Sequence, residues 1–271
     1  MTLIGKKIQA NGINVGYLEQ GVSTGIPLIF IHGFPFNKEM WSTQLTALSD
    51  SHRCIAYDVR GHGDSEAGAA QFIIPQFADD LFSFLDALKI DKAIVVGLSM
   101  GGYIALHAIK KNPTRIAGLL LCDTQCASDT QEGRDKRKKT IAFIQKNGLE
   151  VYTEESLKNL FAPGSLQSKK EEVQFIRNTI LKTRPESICL TLQALADRAE
   201  TCSALEQIKV PVLILVGKED KITSPEMAEK MHRLINNSEL QIIENAGHLS
   251  NLENPEQFNE HIKSFLSNNF K

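Results

Sequence analysis

The chain has 271 residues, of which 42% are hydrophobic and 23% are charged, with a formal net charge of -2. This composition is ordinary for a soluble globular protein. The near-neutral charge gives no basic face of the kind that binds nucleic acid, and no segment reaches the roughly 18 consecutive apolar residues of a membrane span. The length therefore fits one large domain without a nucleic-acid or membrane partner.

Short apolar runs alternate with helical patterns along most of the chain. Asn11-Gly12 between two strand-like segments predicts an antiparallel hairpin, and the continuous apolar runs that follow predict strands buried on both faces. The predicted strands are 4–9, 13–20, 27–31, 53–57, 93–96, 116–122, 210–216 and 239–243, and the predicted helices are 39–48, 75–88, 100–111, 225–235 and 255–268. This order predicts an α/β fold with a mostly parallel central sheet flanked by helices.

The middle of the chain breaks this alternation, because residues 125–205 carry helical patterns without a convincing strand. The sheet is completed only by the segments that follow. We therefore predict a core formed by residues 1–124 and 206–271, with residues 125–205 inserted as a helical cap. Within the insertion, we interpret the basic run from Arg134 to Lys139 as the solvated face of a helix.

The cysteines are five in number and lack the spacing of metal ligands: Cys54, Cys122, Cys126, Cys189 and Cys202. We interpret them as reduced thiols, with a redox pair of Cys122 and Cys126 as a minor alternative. The N-terminal residues lack the long apolar region of a signal peptide. These features predict a cytoplasmic protein that uses no metal and no cofactor.

The pattern Gly97-x-Ser99-x-Gly101 lies between a predicted buried strand and a predicted helix. A sharp strand-to-helix turn forces its central residue into a strained backbone conformation, and small residues two positions away relieve the crowding. The turn would hold the Ser99 hydroxyl clear of the sheet, at the N-terminus of the following helix. Unpaired amides there could stabilise a developing oxyanion. Ser99 is therefore the candidate nucleophile.

Five motifs in order along the chain resemble those of the α/β-hydrolase superfamily. They are His32-Gly33-Phe34-Pro35, Asp58-x-Arg60-Gly61-x-Gly63-x-Ser65, Gly97-Leu98-Ser99-Met100-Gly101-Gly102, Gly217-x-x-Asp220 and Ala246-Gly247-His248. In detail the chain is similar to the branch that holds 3-oxoadipate enol-lactonases, small carboxylesterases and cofactor-free haloperoxidases or perhydrolases. The resemblance implies an oxyanion hole formed by the backbone amides of Phe34 and Met100. Side chains that could also line the substrate pocket are Phe34, Phe36, Met100 and Leu249.

A serine nucleophile needs a base, normally histidine, and a carboxylate that orients it. Of seven histidines, His248 follows the last predicted strand in a glycine-bearing loop, at the sheet edge where α/β proteins bind ligands. His62 is a distant second candidate, and His32 is expected to fix the oxyanion loop by hydrogen bonding. Asp220 matches the family motif more closely than Asp123, the alternative acid, although both lie between Ser99 and His248 in the chain.

Together these residues predict a serine hydrolase that cleaves a small-molecule ester or lactone through an acyl-enzyme. Ser99 argues against relatives that use an aspartate nucleophile. Carbon–carbon bond hydrolysis, perhydrolysis and haloperoxidase activity stay open, because pocket shape distinguishes them and the sequence does not give it. A small-molecule receptor on the hydrolase fold is the alternative from another class. A homodimer also stays open.

Overall fold

A single eight-stranded sheet forms the centre of the computed structural model, which describes residues 4–22 and 24–270. The strands are β1 (Lys6–Ala10), β2 (Ile13–Gln20), β3 (Leu28–Ile31), β4 (Cys54–Tyr57), β5 (Ala93–Leu98), β6 (Ile116–Cys122), β7 (Val212–Gly217) and β8 (Ser238–Ile243). Their order across the sheet is β1-β2-β4-β3-β5-β6-β7-β8. β2 is antiparallel to both β1 and β4, and all other neighbours are parallel. The predicted α/β-hydrolase fold with a mostly parallel sheet is confirmed.

Helices connect the strands and cover the sheet. They are α1 (Ser42–Leu48), α2 (Ile74–Ala87), α3 (Met100–Lys111), α4 (Gln131–Asn147), α5 (Leu149–Leu160), α6 (Ser165–Ser168), α7 (Lys170–Lys182), α8 (Pro185–Ala196), α9 (Pro225–Leu234), α10 (Ser250–Glu253) and α11 (Pro255–Asn269). The helix predicted over 39–48 is divided into a 3-10 turn, Lys38–Trp41, and α1. The Asn37 side chain starts the turn by accepting a hydrogen bond from the Glu39 amide.

Alternate residues of the central strands supply two hydrophobic cores, one on each face of the sheet. In β3, Ile29 and Ile31 pack with α2 and α3, whereas Leu28 and Phe30 pack with α1 and α11. Successive side chains of a strand point to opposite faces, so a strand covered on both sides must be apolar throughout. This is why the central strands read as continuous apolar runs, and it places their carboxyl ends together at one edge.

Five helices, α4 to α8, lie between β6 and β7 along the chain, in a stretch that the structure describes in full. We call residues 125–205 the cap segment. Its α4 packs against α5 and α8, and several of its apolar residues, including Ile144 and Ile176, join the core on the α1 and α11 side of the sheet. Among residues 4–22 and 24–270, no helix combines the length and the apolar character that a membrane crossing requires.

A disulfide between Cys126 and Cys202 joins the two ends of the cap segment, with Cα atoms 4.8 Å apart. The prediction of five reduced thiols is therefore wrong for these two residues. Cys122, the alternative partner of Cys126, is a buried free thiol that packs on the opposite face of the sheet. The Thr201 amide donates to the Cys126 carbonyl at 2.8 Å, which holds the two segments side by side. The disulfide removes one of the two observations on which the cytoplasmic prediction rested, the reduced state of the cysteines.

Candidate active site

Ser99 lies in a strained turn between β5 and α3, with φ 53° and ψ −111°. Its neighbours must be small. A Cβ atom on Gly97 would lie 2.4 Å from the Gly101 carbonyl carbon, and one on Gly101 would lie 2.2 Å from the Ile31 carbonyl oxygen. No real Cβ contact is that short, so the backbone of this turn has no room for side chains at either glycine. The turn therefore has the sharp strand-to-helix geometry that the motif predicted.

Three side chains from different loops form a continuous hydrogen-bonded chain. His248 Nε2 lies 2.9 Å from Ser99 Oγ, and His248 Nδ1 lies 2.8 Å from Asp220 Oδ2. Ser99 follows β5, Asp220 follows β7 and His248 follows β8, so all three lie at the carboxyl edge of the parallel strands. The structure thus brings together the residues that the sequence proposed as nucleophile, acid and base.

Two further residues fix Asp220 and escaped the sequence analysis. The Asp220 carboxylate accepts hydrogen bonds from the Thr223 hydroxyl at 2.8 Å, from the Thr223 amide at 3.0 Å and from the Ile222 amide at 2.7 Å. An aspartate that bonds the backbone two and three residues ahead is a common turn arrangement. The spacing from Asp220 to Thr223 was the signal that could have revealed it.

Glu253 fixes the His248 loop in a similar way. Its buried carboxylate accepts from the Gly247 amide and from the Ala162 amide, both at 2.8 Å. The His248 amide also donates to the Leu160 carbonyl at 2.9 Å. The loop that carries the histidine is therefore tied to the cap segment. Sequence reasoning missed this link because Glu253 and Ala162 are 91 residues apart.

Burial and charge act in opposite directions on the pKa values of this site. Burial by itself lowers the pKa of His248, but the charge and hydrogen bond of Asp220 outweigh it and raise that pKa above its usual 6.5. Burial raises the pKa of Asp220, whereas His248 and the Thr223 hydrogen bonds lower it, and the net direction is down. Asp220 is therefore ionised at neutral pH and stabilises a positive charge on the imidazole.

Asp123, the alternative acid, has other partners. Its carboxylate accepts from the Gly217 amide at 2.8 Å and from the Ser250 hydroxyl at 2.5 Å. Burial and the nearby Asp220 charge raise its pKa well above the usual value. Asp123 forms no hydrogen bond to His248 in the described structure, so the geometry favours Asp220 as the orienting carboxylate.

The amides proposed for the oxyanion hole lie in the two loops around Ser99. Met100 is the first residue of α3, and Phe34 follows β3. Within the described residues, neither amide donates a hydrogen bond to a protein acceptor. Both amides are thus free to donate to a ligand oxygen. The Met100 amide lies at the N-terminus of α3, where anions bind readily, and the Phe34 amide lies in the loop after β3.

His32 and His62 are buried beside this loop and have structural partners. His32 Nδ1 lies 2.8 Å from the Gly33 carbonyl oxygen, and the Val59 amide donates to His32 Nε2 at 2.9 Å. Burial lowers the pKa of His32 to about 4 and that of His62 to about 3, so both rings are neutral. His32 therefore fixes the loop as expected. His62 bonds the Arg60 carbonyl at 3.0 Å and not Ser99.

A cavity of about 390 Å³ opens over Ser99 and His248. Phe34 lines it, in agreement with the sequence analysis. Phe36, Met100 and Leu249 are fully buried in the two cores instead and are absent from the described cavity wall, which corrects their proposed pocket role. These three side chains pack inside the two hydrophobic cores.

The cap segment supplies much of the cavity wall. On α4, four residues at helical spacing face the cavity: Gly133, Lys136, Arg137 and Thr140. The basic run from Arg134 to Lys139 is therefore only partly a solvated face, because two of its side chains line the cavity. Helical periodicity shows which residues share a face but not what that face meets. Among residues 4–22 and 24–270, no group of three His, Cys, Asp or Glu side chains is arranged to hold a metal ion.

The chain belongs to the family described as alpha/beta hydrolase fold, which matches residues 26–255. A 3-oxoadipate enol-lactonase from Acinetobacter baylyi is 27% identical over 263 residues, which cover 96% of this chain and 95% of the relative. The structure of a thermophilic esterase from Thermogutta terrifontis, with malate bound, has a TM-score of 0.93 at 32% identity and covers 99% of this chain and 100% of that chain. The enol-lactonase from Burkholderia xenovorans has a TM-score of 0.89 at 26% identity, with coverage of 97% and 100%. The protein is thus a hydrolase of the α/β fold.

Proposed function

We propose that this protein is a serine hydrolase that cleaves a small carboxylic ester or lactone through an acyl-enzyme. The observation that carries the proposal is the unbroken chain of hydrogen bonds from Ser99 through His248 to Asp220, open to a cavity of about 390 Å³. The similarity to enol-lactonases and an esterase supports ester or lactone hydrolysis over other reactions.

The geometry supports a two-step reaction. His248 takes the proton of Ser99 as the hydroxyl oxygen attacks the substrate carbonyl, and the amides of Phe34 and Met100 stabilise the oxyanion. The protonated His248 gives its proton to the leaving alkoxide as the carbon–oxygen bond breaks. A water molecule, deprotonated by the same histidine, then cleaves the acyl-enzyme and restores Ser99.

Perhydrolysis, haloperoxidase activity and carbon–carbon hydrolysis would use the same three side chains and are alternatives within this chemistry. A small-molecule receptor is the alternative outside it. Turnover separates the receptor from the enzyme, because a receptor would release at most one product per site. Peracid formation and diketone cleavage separate the other activities from ester hydrolysis.

A fluorophosphonate probe tests the proposal directly. We expect the probe to label Ser99, and we expect the label and the hydrolysis of p-nitrophenyl acetate to be lost in Ser99→Ala and His248→Ala. Ser42→Ala is the matched control, because Ser42 is a partly exposed serine whose hydroxyl only bonds the Glu39 carbonyl. Full esterase activity in Ser99→Ala would overturn the assignment.

A further inference from the structure

The cavity over Ser99 carries an excess of positive charge. Its charged wall consists of Lys136 and Arg137 from α4, Lys221 from the loop after β7, and one carboxylate, Asp129. Apart from His248, the wall therefore carries three cations and one anion among the described residues. A cavity built for neutral esters would have no use for such an excess, since unpaired charges near an apolar substrate are costly to desolvate.

Asp129 does not neutralise this charge, because it is shared between two arginines. Its Oδ2 atom accepts from Arg137 Nε at 2.5 Å, and its Oδ1 atom accepts from Arg198 Nη1 at 2.6 Å. Burial raises the pKa of Asp129, but the two guanidinium groups lower it further, so it stays ionised. Two positive charges around one carboxylate leave a net positive charge at the α4 side of the cavity.

Arg137 is held in place with part of its guanidinium unused. The side chain is 25% exposed, and Nε is its only atom that hydrogen-bonds to another described residue. The two Nη groups of a guanidinium form a planar fork that matches a carboxylate. Lys136, one residue earlier on α4, adds a second cation that forms no ion pair within residues 4–22 and 24–270.

We propose that the cap segment selects substrates that carry a carboxylate, which binds Arg137 and Lys136 while the ester or lactone carbonyl lies at Ser99. This inference rests on the proposed function and names its substrate class. Lys221 lies next to Asp220 in the chain and adds to the field that attracts an anion. Arg137 and Lys136 are specificity residues and take no part in the bond changes at Ser99.

Matched pairs of substrates test the proposal. On the acyl side, the p-nitrophenyl half-esters of glutaric and adipic acid are compared with p-nitrophenyl pentanoate and hexanoate. On the alcohol side, p-carboxyphenyl hexanoate is compared with p-carbamoylphenyl hexanoate. We expect kcat/KM on at least one side to favour the anionic member by on the order of tenfold or more, as expected for a hydrogen-bonded charge pair. The preference should fall as salt is added.

Substitutions on α4 test which side chains cause the preference for anionic substrates. We expect Arg137→Gln and Lys136→Met each to reduce the ratio of anionic to neutral kcat/KM by on the order of tenfold. Lys136→Met guards against misfolding, since Lys136 is exposed and loses no ion pair to any residue that the structure describes. Lys138→Met is the control, because Lys138 is an exposed cation on the same helix outside the cavity wall.

The outcomes separate this inference from the proposed function. Equal rates for both members of each pair, or a preference that survives both substitutions, would overturn the carboxylate selection. Ser99-dependent turnover of the neutral esters would then still support the serine hydrolase. Absence of turnover together with an unlabelled Ser99 would overturn the proposed function and this inference with it.

Discussion

The Thr223 hydroxyl oxygen lies 2.8 Å from Asp220 Oδ2 and 3.2 Å from His248 Nδ1, so one threonine contacts both partners of the acid–base pair. His248 Nδ1 donates its proton to Asp220, and the hydroxyl therefore donates to the carboxylate as well. Thr223 is fully buried, and its own amide bonds the same aspartate. We interpret Thr223 as the residue that positions Asp220.

Removal of this hydroxyl should impair the reaction without unfolding the protein. We expect Thr223→Val to lower kcat on the order of tenfold, because a hydrogen bond to a charged group contributes roughly 1.5–3 kcal/mol. The midpoint of the acid limb of the pH–rate profile should also fall less in Thr223→Val than in Asp220→Asn. Thr191→Val is the control, since Thr191 is buried and its hydroxyl has no partner among the described residues. Equal kcat values for the two variants would contradict the role.

The two buried aspartates should respond differently to removal of their charge. We expect Asp220→Asn to lower kcat about 10⁴-fold, because the amide cannot stabilise the imidazolium or hold the productive tautomer. Asp123→Asn should stay within about tenfold of the wild type, because the Asp123 carboxylate bonds the Gly217 amide and the Ser250 hydroxyl and forms no hydrogen bond to His248 in the described structure. Steady-state kinetics with p-nitrophenyl acetate measure both. A larger loss at Asp123 would reverse the assignment of the acid.

The acid limb of the pH–rate profile should report His248. The base must be neutral to accept the Ser99 proton, so kcat/KM is lost as the pH falls through the pKa of His248. Asp220 raises that pKa, and we therefore expect a midpoint above the ordinary 6.5. In Asp220→Asn the residual activity should show a lower midpoint, since burial is then opposed only by the charges of Asp123 and Glu253. A wild-type midpoint well below 6.5 would contradict the conclusion that Asp220 raises the pKa of His248.

The tight turn at Ser99 should tolerate no larger residue at its second glycine. A Cβ atom on Gly101 would meet the Ile31 carbonyl oxygen at 2.2 Å, so strand and helix would have to separate. We expect Gly101→Ala to lower the free energy of unfolding by about 2–3 kcal/mol. Gly133→Ala makes the same change near the start of α4, where the closest atom lies 3.4 Å away, and it should stabilise by up to about 1 kcal/mol. Urea unfolding followed by circular dichroism compares the two.

Local patterns were enough to predict the sheet and the three central site residues. The central strands carry continuous apolar runs because both faces are covered, and the Gly97-to-Gly101 spacing reflects a backbone that admits no Cβ. The glycine-bearing loop after the last strand then indicated His248, and the closer match to the family motif favoured Asp220 over Asp123. Each of these signals is a short motif or run that spans only a few residues of the chain.

The features that escaped prediction depend on contacts between distant segments. Glu253 reaches Ala162 across 91 residues, and no local pattern distinguishes it from a surface glutamate. The orientation of α4 decides whether Arg137 lines the cavity or faces only solvent, and helical spacing is the same in both cases. Likewise, the disulfide joins Cys126 to Cys202, which are 76 residues apart in the chain.

The Cys126–Cys202 disulfide closes a covalent ring that contains all five helices of the cap segment. A protease that cuts the backbone once inside this ring produces two polypeptides that stay joined through sulfur. Such a nicked protein should migrate as one species on a non-reducing gel and separate into two after reduction. The wall of the cavity can therefore be cut open while the strands that carry Ser99 and His248 remain one covalent molecule.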